Sequence, residues 1–208
     1  MAACVLKIAW PRPAPAVDAD RRTPAAELQR LRDEFQRVVA DAAALAAPLT
    51  EVQFAWKPAA DAWSIGECLS HLNATARHCL PKLDEGIADG IRAGHYADAP
   101  FRYGWLDRLV VQAMEPPSCW HLGSPKAFRP APGESRDDVL GAFHTVHEHL
   151  ADRLRQAHGL DLVRVRVTSP VAPWRRFSLG AAFAVLAAHE RRHLWQARRV
   201  AAQPRFPR

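Results

Sequence analysis

Apolar residues recur at spacings of three and four along four long stretches of the chain. Leu28, Leu31, Phe35, Val38, Val39, Ala42 and Leu45 predict an amphipathic helix over residues 23–47, with Thr23 as N-cap and Pro24 in its first turn. Ser64-Ile65-Gly66-Glu67 has the form of a capping box and opens a second helix. Its period runs through Ile65, Cys68, Leu69, Leu72, Ala76, Cys79, Leu83 and Ile87 to the glycines at 86, 90 and 94, and Pro81 is expected to kink it. Ser135 opens a third helix, to about residue 158, with Val139, Leu140, Phe143, Val146, Leu150 and Leu154 inward. Ser178 is expected to cap the fourth, to about residue 202.

The intervening segments are less regular. Residues 1–22 hold three prolines and no period, which reads as an extended or flexible tail ahead of a domain spanning residues 23–208. The connection over residues 95–133 is long enough to suggest a functional role or a cover over an opening, and a short helix is expected within it at residues 105–114. Residues 162–167 alternate like a strand, although one such segment cannot form a sheet. The expected architecture is all-α: a four-helix bundle whose long second and third connections leave room for a crossover.

Charge and composition narrow the partners. The chain of 208 residues carries a net charge of +6, and from Arg164 onward there are ten arginines against the single acid Glu190. That basic end has no nucleic-acid-binding motif beside it, and only four of the 28 basic residues are lysine, so an arginine-rich solvated surface is the simpler reading. No run is apolar enough for a membrane span, and Lys7 interrupts the short apolar N-terminus. The four cysteines have neither CxxC spacing nor the density of a disulfide scaffold, which fits a reducing, cytoplasmic compartment. Oligomeric state is left open between monomer and homodimer.

The candidate chemistry lies in the histidines. On a helical wheel His193 falls inside the apolar stripe of the last helix and His189 at its edge, so two imidazoles one turn apart point into the bundle. A pair is not a complete site. His71, two turns into the second helix, sits at the flank of that helix's stripe and is the candidate third ligand. Three neutral imidazoles bind a divalent transition metal and leave coordination positions open, as catalytic sites do. Metal binding is expected to weaken below the ordinary imidazole pKa of about 6.5.

Trp56-Lys57-Pro58, Trp63-Ser64-Ile65 with Glu67 and His71-Leu72, residues 124–130 (Ser-Pro-Lys-Ala-Phe-Arg-Pro) and residues 189–196 (His-Glu-Arg-Arg-His-Leu-Trp-Gln) together resemble the DinB/YfiT-like superfamily of four-helix metal-binding proteins. The resemblance covers about residues 23–203. It implies a His71, His189 and His193 triad for a divalent metal such as zinc or nickel. It also implies a metal-dependent transferase or hydrolase, with low-molecular-weight thiol S-transfer foremost and a small thiol and an electrophile as partners. A non-catalytic metal-binding stress-response module is the alternative. Arg129 and Arg192 are candidates to pair with carboxylates of such a thiol.

A rival reading overlaps these residues. His189-Glu190-Arg191-Arg192-His193 satisfies the H-E-x-x-H pattern of zinc peptidases, in which the glutamate activates water. Those enzymes take a third ligand downstream, and after His193 there is no His, Asp or Glu. Glu190 lies near the centre of the wheel, where a buried carboxylate needs a partner, so it is a candidate base or support for the metal ligands. His147 points inward and is either a fourth ligand or a hydrogen-bonded core histidine. Cys68 and Cys79 read as buried hydrophobes, Cys68 being the one expected near the site.

Overall fold

The structure is a computed structural model and describes residues 24–98, 100–117 and 123–208. The proposed tail at residues 1–22, the Thr23 cap, Cys4, Cys119 and His121 lie outside the described residues. Four long helices carry the fold: α1 (Pro24–Ala46), α3 (Ile65–Arg92), α5 (Arg136–Gln156) and α6 (Leu179–Ala201). Two short helices join them, α2 (Glu51–Ala55) and α4 (Trp105–Met114), together with a 3-10 turn at Lys126–Phe128. Among the described residues no helix is long and apolar enough to cross a membrane.

Each long helix buries the face its period predicts. Leu28, Leu31, Phe35, Val38 and Ala42 of α1 and Val139, Phe143, Val146, Leu150 and Leu154 of α5 are all buried. The α1 and α3 helices each pack between α5 and α6, so the four stand in a square with α1 diagonal to α3. Chain order therefore crosses a diagonal at the first link, which carries α2, and at the third. Of the two connections with room for a crossover, the third makes one, whereas the long second joins the neighbours α3 and α5; its length is taken up by α4, which packs on α6, and by the 3-10 turn on α3.

The predicted strand at residues 162–167 is mostly a turn. Asp161 Oδ1 accepts the N–H groups of Val163 and Arg164, its carbonyl accepts that of Val165, and the alternation comes from buried Leu162 and Val165 on that turn. Strand β1 is confined to Arg166–Thr168 and pairs antiparallel with an unanticipated β2 (Arg176–Ser178). This hairpin lies against α3 where Gly86 and Gly90 remove side chains: a Cβ on Gly86 would stand 2.9 Å from the Arg166 carbonyl oxygen. Ser178 does hold the N-cap position of α6, but its hydroxyl does not cap the helix; it donates to Asp107 Oδ2 of α4 at 2.6 Å, which anchors α4 to the start of α6.

The apolar interior falls into two clusters. One, around Leu31, Leu83, Leu154 and Phe183, fills the hairpin end of the bundle; the other, around Val38, Leu69, Phe143 and Leu194, fills the α2 end. Between them, halfway along the bundle, α5 contributes His147 and α6 contributes His189, Glu190 and His193. Polar groups that hold one another thus sit in a belt between two hydrophobic halves, and the site is supported by both.

Candidate metal centre

Helix α3 starts with reciprocal capping bonds. Glu67 N–H donates to Ser64 Oγ at 3.0 Å and Ser64 N–H to Glu67 Oε2 at 2.9 Å, while Lys57 Nζ holds the other carboxylate oxygen at 2.9 Å. This fixes the first turn of α3, one turn before His71, and places Trp63 against the triad, its ring centroid 4.8 Å from that of His71 and 5.6 Å from that of His193. The Trp56-Lys57-Pro58 and Trp63-Ser64-Ile65 motifs therefore have a local physical task.

His71 lies on the flank of the apolar stripe yet is only 5% exposed. The 3-10 turn covers it: His71 Nδ1 donates to the Phe128 carbonyl at 2.5 Å, which leaves Nε2 as the free lone pair. The turn is tied down in its turn, since Ala131 N–H donates to Ser70 Oγ at 3.2 Å and Ser70 donates to Glu134. His193 Nδ1 meets Gln196 Oε1 at 3.1 Å. His189 Nδ1 is buried without a hydrogen-bond partner, and its Nε2 stands 3.3 Å from His71 Nε2.

One ring nitrogen from each of His71, His189 and His193 lies within 4.8 Å of the other two. Ligands 2.0–2.1 Å from a tetrahedral ion stand roughly 3.3–3.4 Å apart, so the spacing of His71 and His189 already suits one ion. Protonation is disfavoured throughout. Burial holds His71 below the usual imidazole range against the opposing pull of the Phe128 carbonyl. Burial, then His71 and Arg192, bring His189 down to about 3. His193 falls to about 2 through burial and the neighbouring His189, His71 and Arg192. Neutral rings with aimed lone pairs are the state a metal requires.

The triad forms part of the wall of a cleft of about 1280 Å³ between α3, α6 and the long connection. Arg129 and Arg192, both singled out in the sequence, line it. So does Cys79, whereas Cys68, expected near the site, is fully buried in the α2-end core and does not line the cleft. Burial, then the Glu190 charge, pushes the Cys79 thiol up to about 12, so it stays protonated and inert.

Glu190 is fully buried and is not among the residues that line the cleft. Its Oε2 meets His147 Nε2 at 3.1 Å, and His147 Nδ1 donates to the Phe143 carbonyl at 2.7 Å. Both residues thus form an internal pair between α5 and α6, and His147 is a core histidine with both ring nitrogens engaged. A glutamate so paired lies in the core and off the cleft wall, which does not favour the water-activating role of the peptidase reading.

Fold and site define a helical bundle with a three-histidine cluster that can hold one metal ion at the wall of a cleft. The family model of the DinB superfamily matches residues 34–197, and the chain belongs to that superfamily. No curated protein sequence matches the chain.

Proposed function

We propose that this protein is a divalent-metal-dependent S-transferase that uses a low-molecular-weight thiol, with zinc or nickel held by His71, His189 and His193. The observation that carries the reading is the cluster of three neutral imidazoles in a cleft that Arg129 and Arg192 also line. A divalent ion bound there supplies Lewis acidity that lowers the pKa of a thiol and keeps it as thiolate at neutral pH. The chain does the rest. The Phe128 carbonyl and Gln196 set the tautomers of His71 and His193, Trp63 shields both rings from water, and the two arginines pair with carboxylates of the thiol.

The thiolate is its own nucleophile, so no carboxylate base is needed, in keeping with a Glu190 turned into the core. Cobalt substitution tests the reading without turnover: adding a cellular thiol at millimolar level should produce a sulfur-to-metal charge-transfer band. No spectral change with any such thiol contradicts S-transfer.

A further inference from the structure

A second histidine of α3 reaches the 3-10 turn that covers His71. His78 follows His71 by two helical turns and so stands on the same face, about 10 Å further along. Its Nε2 donates to the Ala127 carbonyl at 3.1 Å, and its ring packs on that of Phe128 with centroids 4.6 Å apart. The two histidines thus donate to successive carbonyls of one turn, His78 to Ala127 and His71 to Phe128. Their settings differ: His71 is buried in the triad, whereas His78 is exposed, does not line the cleft and does not belong to the three-histidine cluster. The turn has little of its own to hold it. It closes through Phe128 N–H to the Pro125 carbonyl at 2.9 Å and Arg129 N–H to the Lys126 carbonyl at 3.2 Å, without a side-chain cap. So short a 3-10 segment, with its poorer bond geometry, depends on outside contacts to keep its place. The Ser70 bond to Ala131 N–H fixes the chain three residues beyond Phe128, and His78 holds the middle of the turn.

We propose that His78 is a positioning residue for the metal centre: its hydrogen bond to the Ala127 carbonyl fixes the next carbonyl, that of Phe128, against Nδ1 of His71 and so keeps Nε2 of His71 as the lone pair offered to the ion. The planar peptide groups that carry the two carbonyls meet at the Phe128 Cα. His78 grips the first plane by its oxygen, and the Arg129 N–H bond to Lys126 closes the second. Without that grip the Phe128 carbonyl shifts, and Nδ1 of His71 loses the acceptor that favours it over Nε2 as the protonated nitrogen. An ion then finds only a fraction of the His71 rings in the ligating tautomer, and its apparent affinity falls by that fraction. The effect on metal rests on the reading of His71 as a ligand; the hold on its tautomer does not.

The test compares wild-type protein with His78→Ala, His78→Gln and His78→Phe, each checked for helix content by circular dichroism. His78 is exposed, so none of these changes opens the core. Glutamine offers an amide N–H at the reach of Nε2 but no ring; phenylalanine offers a ring but no donor. Imidazole nitrogen chemical shifts of His71 in the metal-free protein report its tautomer. Wild type and His78→Gln should hold the Nδ1–H form, and His78→Ala and His78→Phe should move toward the Nε2–H form. Competition for zinc with a chromophoric chelator should show affinity weakened by about two- to tenfold, one hydrogen bond, in His78→Ala and His78→Phe, and restored in His78→Gln. A purely structural His78 would lower the melting temperature of His78→Ala and leave tautomer and affinity unmoved, which overturns the inference. A loss in His78→Gln as large as in His78→Ala also overturns it, since the ring contact and not the hydrogen bond would then be at work. Wild-type protein that binds no zinc, with the tautomer shifting as expected, refutes the metal reading alone; zinc bound equally by all four proteins, with the tautomer unmoved, refutes the role of His78 alone.

Discussion

The Nε2 atoms of His71 and His189 face each other at 3.3 Å, at the meeting of two helices 118 residues apart in sequence. Two imidazolium groups cannot share that spacing, and burial makes even one unfavourable. Metal-free protein should therefore lose stability as pH falls. The unfolded chain takes up protons near pH 6.5 that the folded rings refuse until about 3 for His189 and about 2 for His193, so it binds more protons over that interval. Melting temperature after chelation should fall from about pH 6.5 downward, less steeply in His193→Gln. An equal slope in both proteins contradicts the assignment.

The same low pKa values change the expectation for metal. Proton competition in a folded site begins only where its rings titrate, so occupancy should persist well below pH 6.5, the point at which an exposed triad would release its ion. Metal content after dialysis at stepped pH reads this directly.

Gln196 holds His193 through Nδ1 and does not belong to the three-histidine cluster. Gln196→Ala should weaken metal affinity by about 10- to 100-fold through loss of tautomer and ring orientation, a smaller loss than removal of a ligand. Competition with a chromophoric chelator measures it, and unchanged affinity would show that Gln196 does not orient the ring.

Four amphipathic helices, their caps at Ser64 and Ser135 and the short α4 were all legible, because period and capping chemistry are local. Missed elements depended on contacts distant in sequence or on brief signals. The α2 helix has only five residues, although its Thr50–Gln53 capping box was present to be read. Strand β2 exists because β1 lies opposite it. The wheel placed His189, His193 and buried Glu190 correctly, but it put His71 on a flank since the 3-10 turn that covers that flank is more than fifty residues away. Cys79 rather than Cys68 reaches the cleft for a related reason: a stripe position says that a residue is inside, not which neighbour it meets.

The His147–Glu190 pair is a structural element of the belt. Burial alone would lower the His147 pKa, but the Glu190 charge and hydrogen bond, with the Phe143 carbonyl, raise it above the ordinary value. His147→Ala leaves a buried carboxylate uncompensated and should destabilise the fold by about 3–5 kcal/mol in denaturant titration. Glu190→Gln removes the charge and should also lower stability. Both variants should retain metal, and Glu190→Gln should keep thiol transfer within a small factor of wild type. Loss of metal from folded His147→Ala would place this pair in the site after all.

Arg129 is exposed at the cleft edge and contacts no triad residue through its hydrogen bond to the Ser124 carbonyl. Arg129→Gln should raise the thiol concentration that half-saturates the cobalt band by about tenfold, one charge-assisted bond, with metal content unchanged. An unaltered titration assigns the thiol's carboxylates elsewhere.

The central claim, one ion held jointly by His71, His189 and His193, is tested most directly by elemental analysis of protein purified without a histidine tag. Wild-type protein should carry about one divalent transition metal per chain, and His71→Ala, His189→Ala and His193→Ala, each still helical by circular dichroism, should each lose most of it. Wild-type protein that stays metal-free when offered zinc and nickel, or full occupancy in folded His71→Ala, contradicts it.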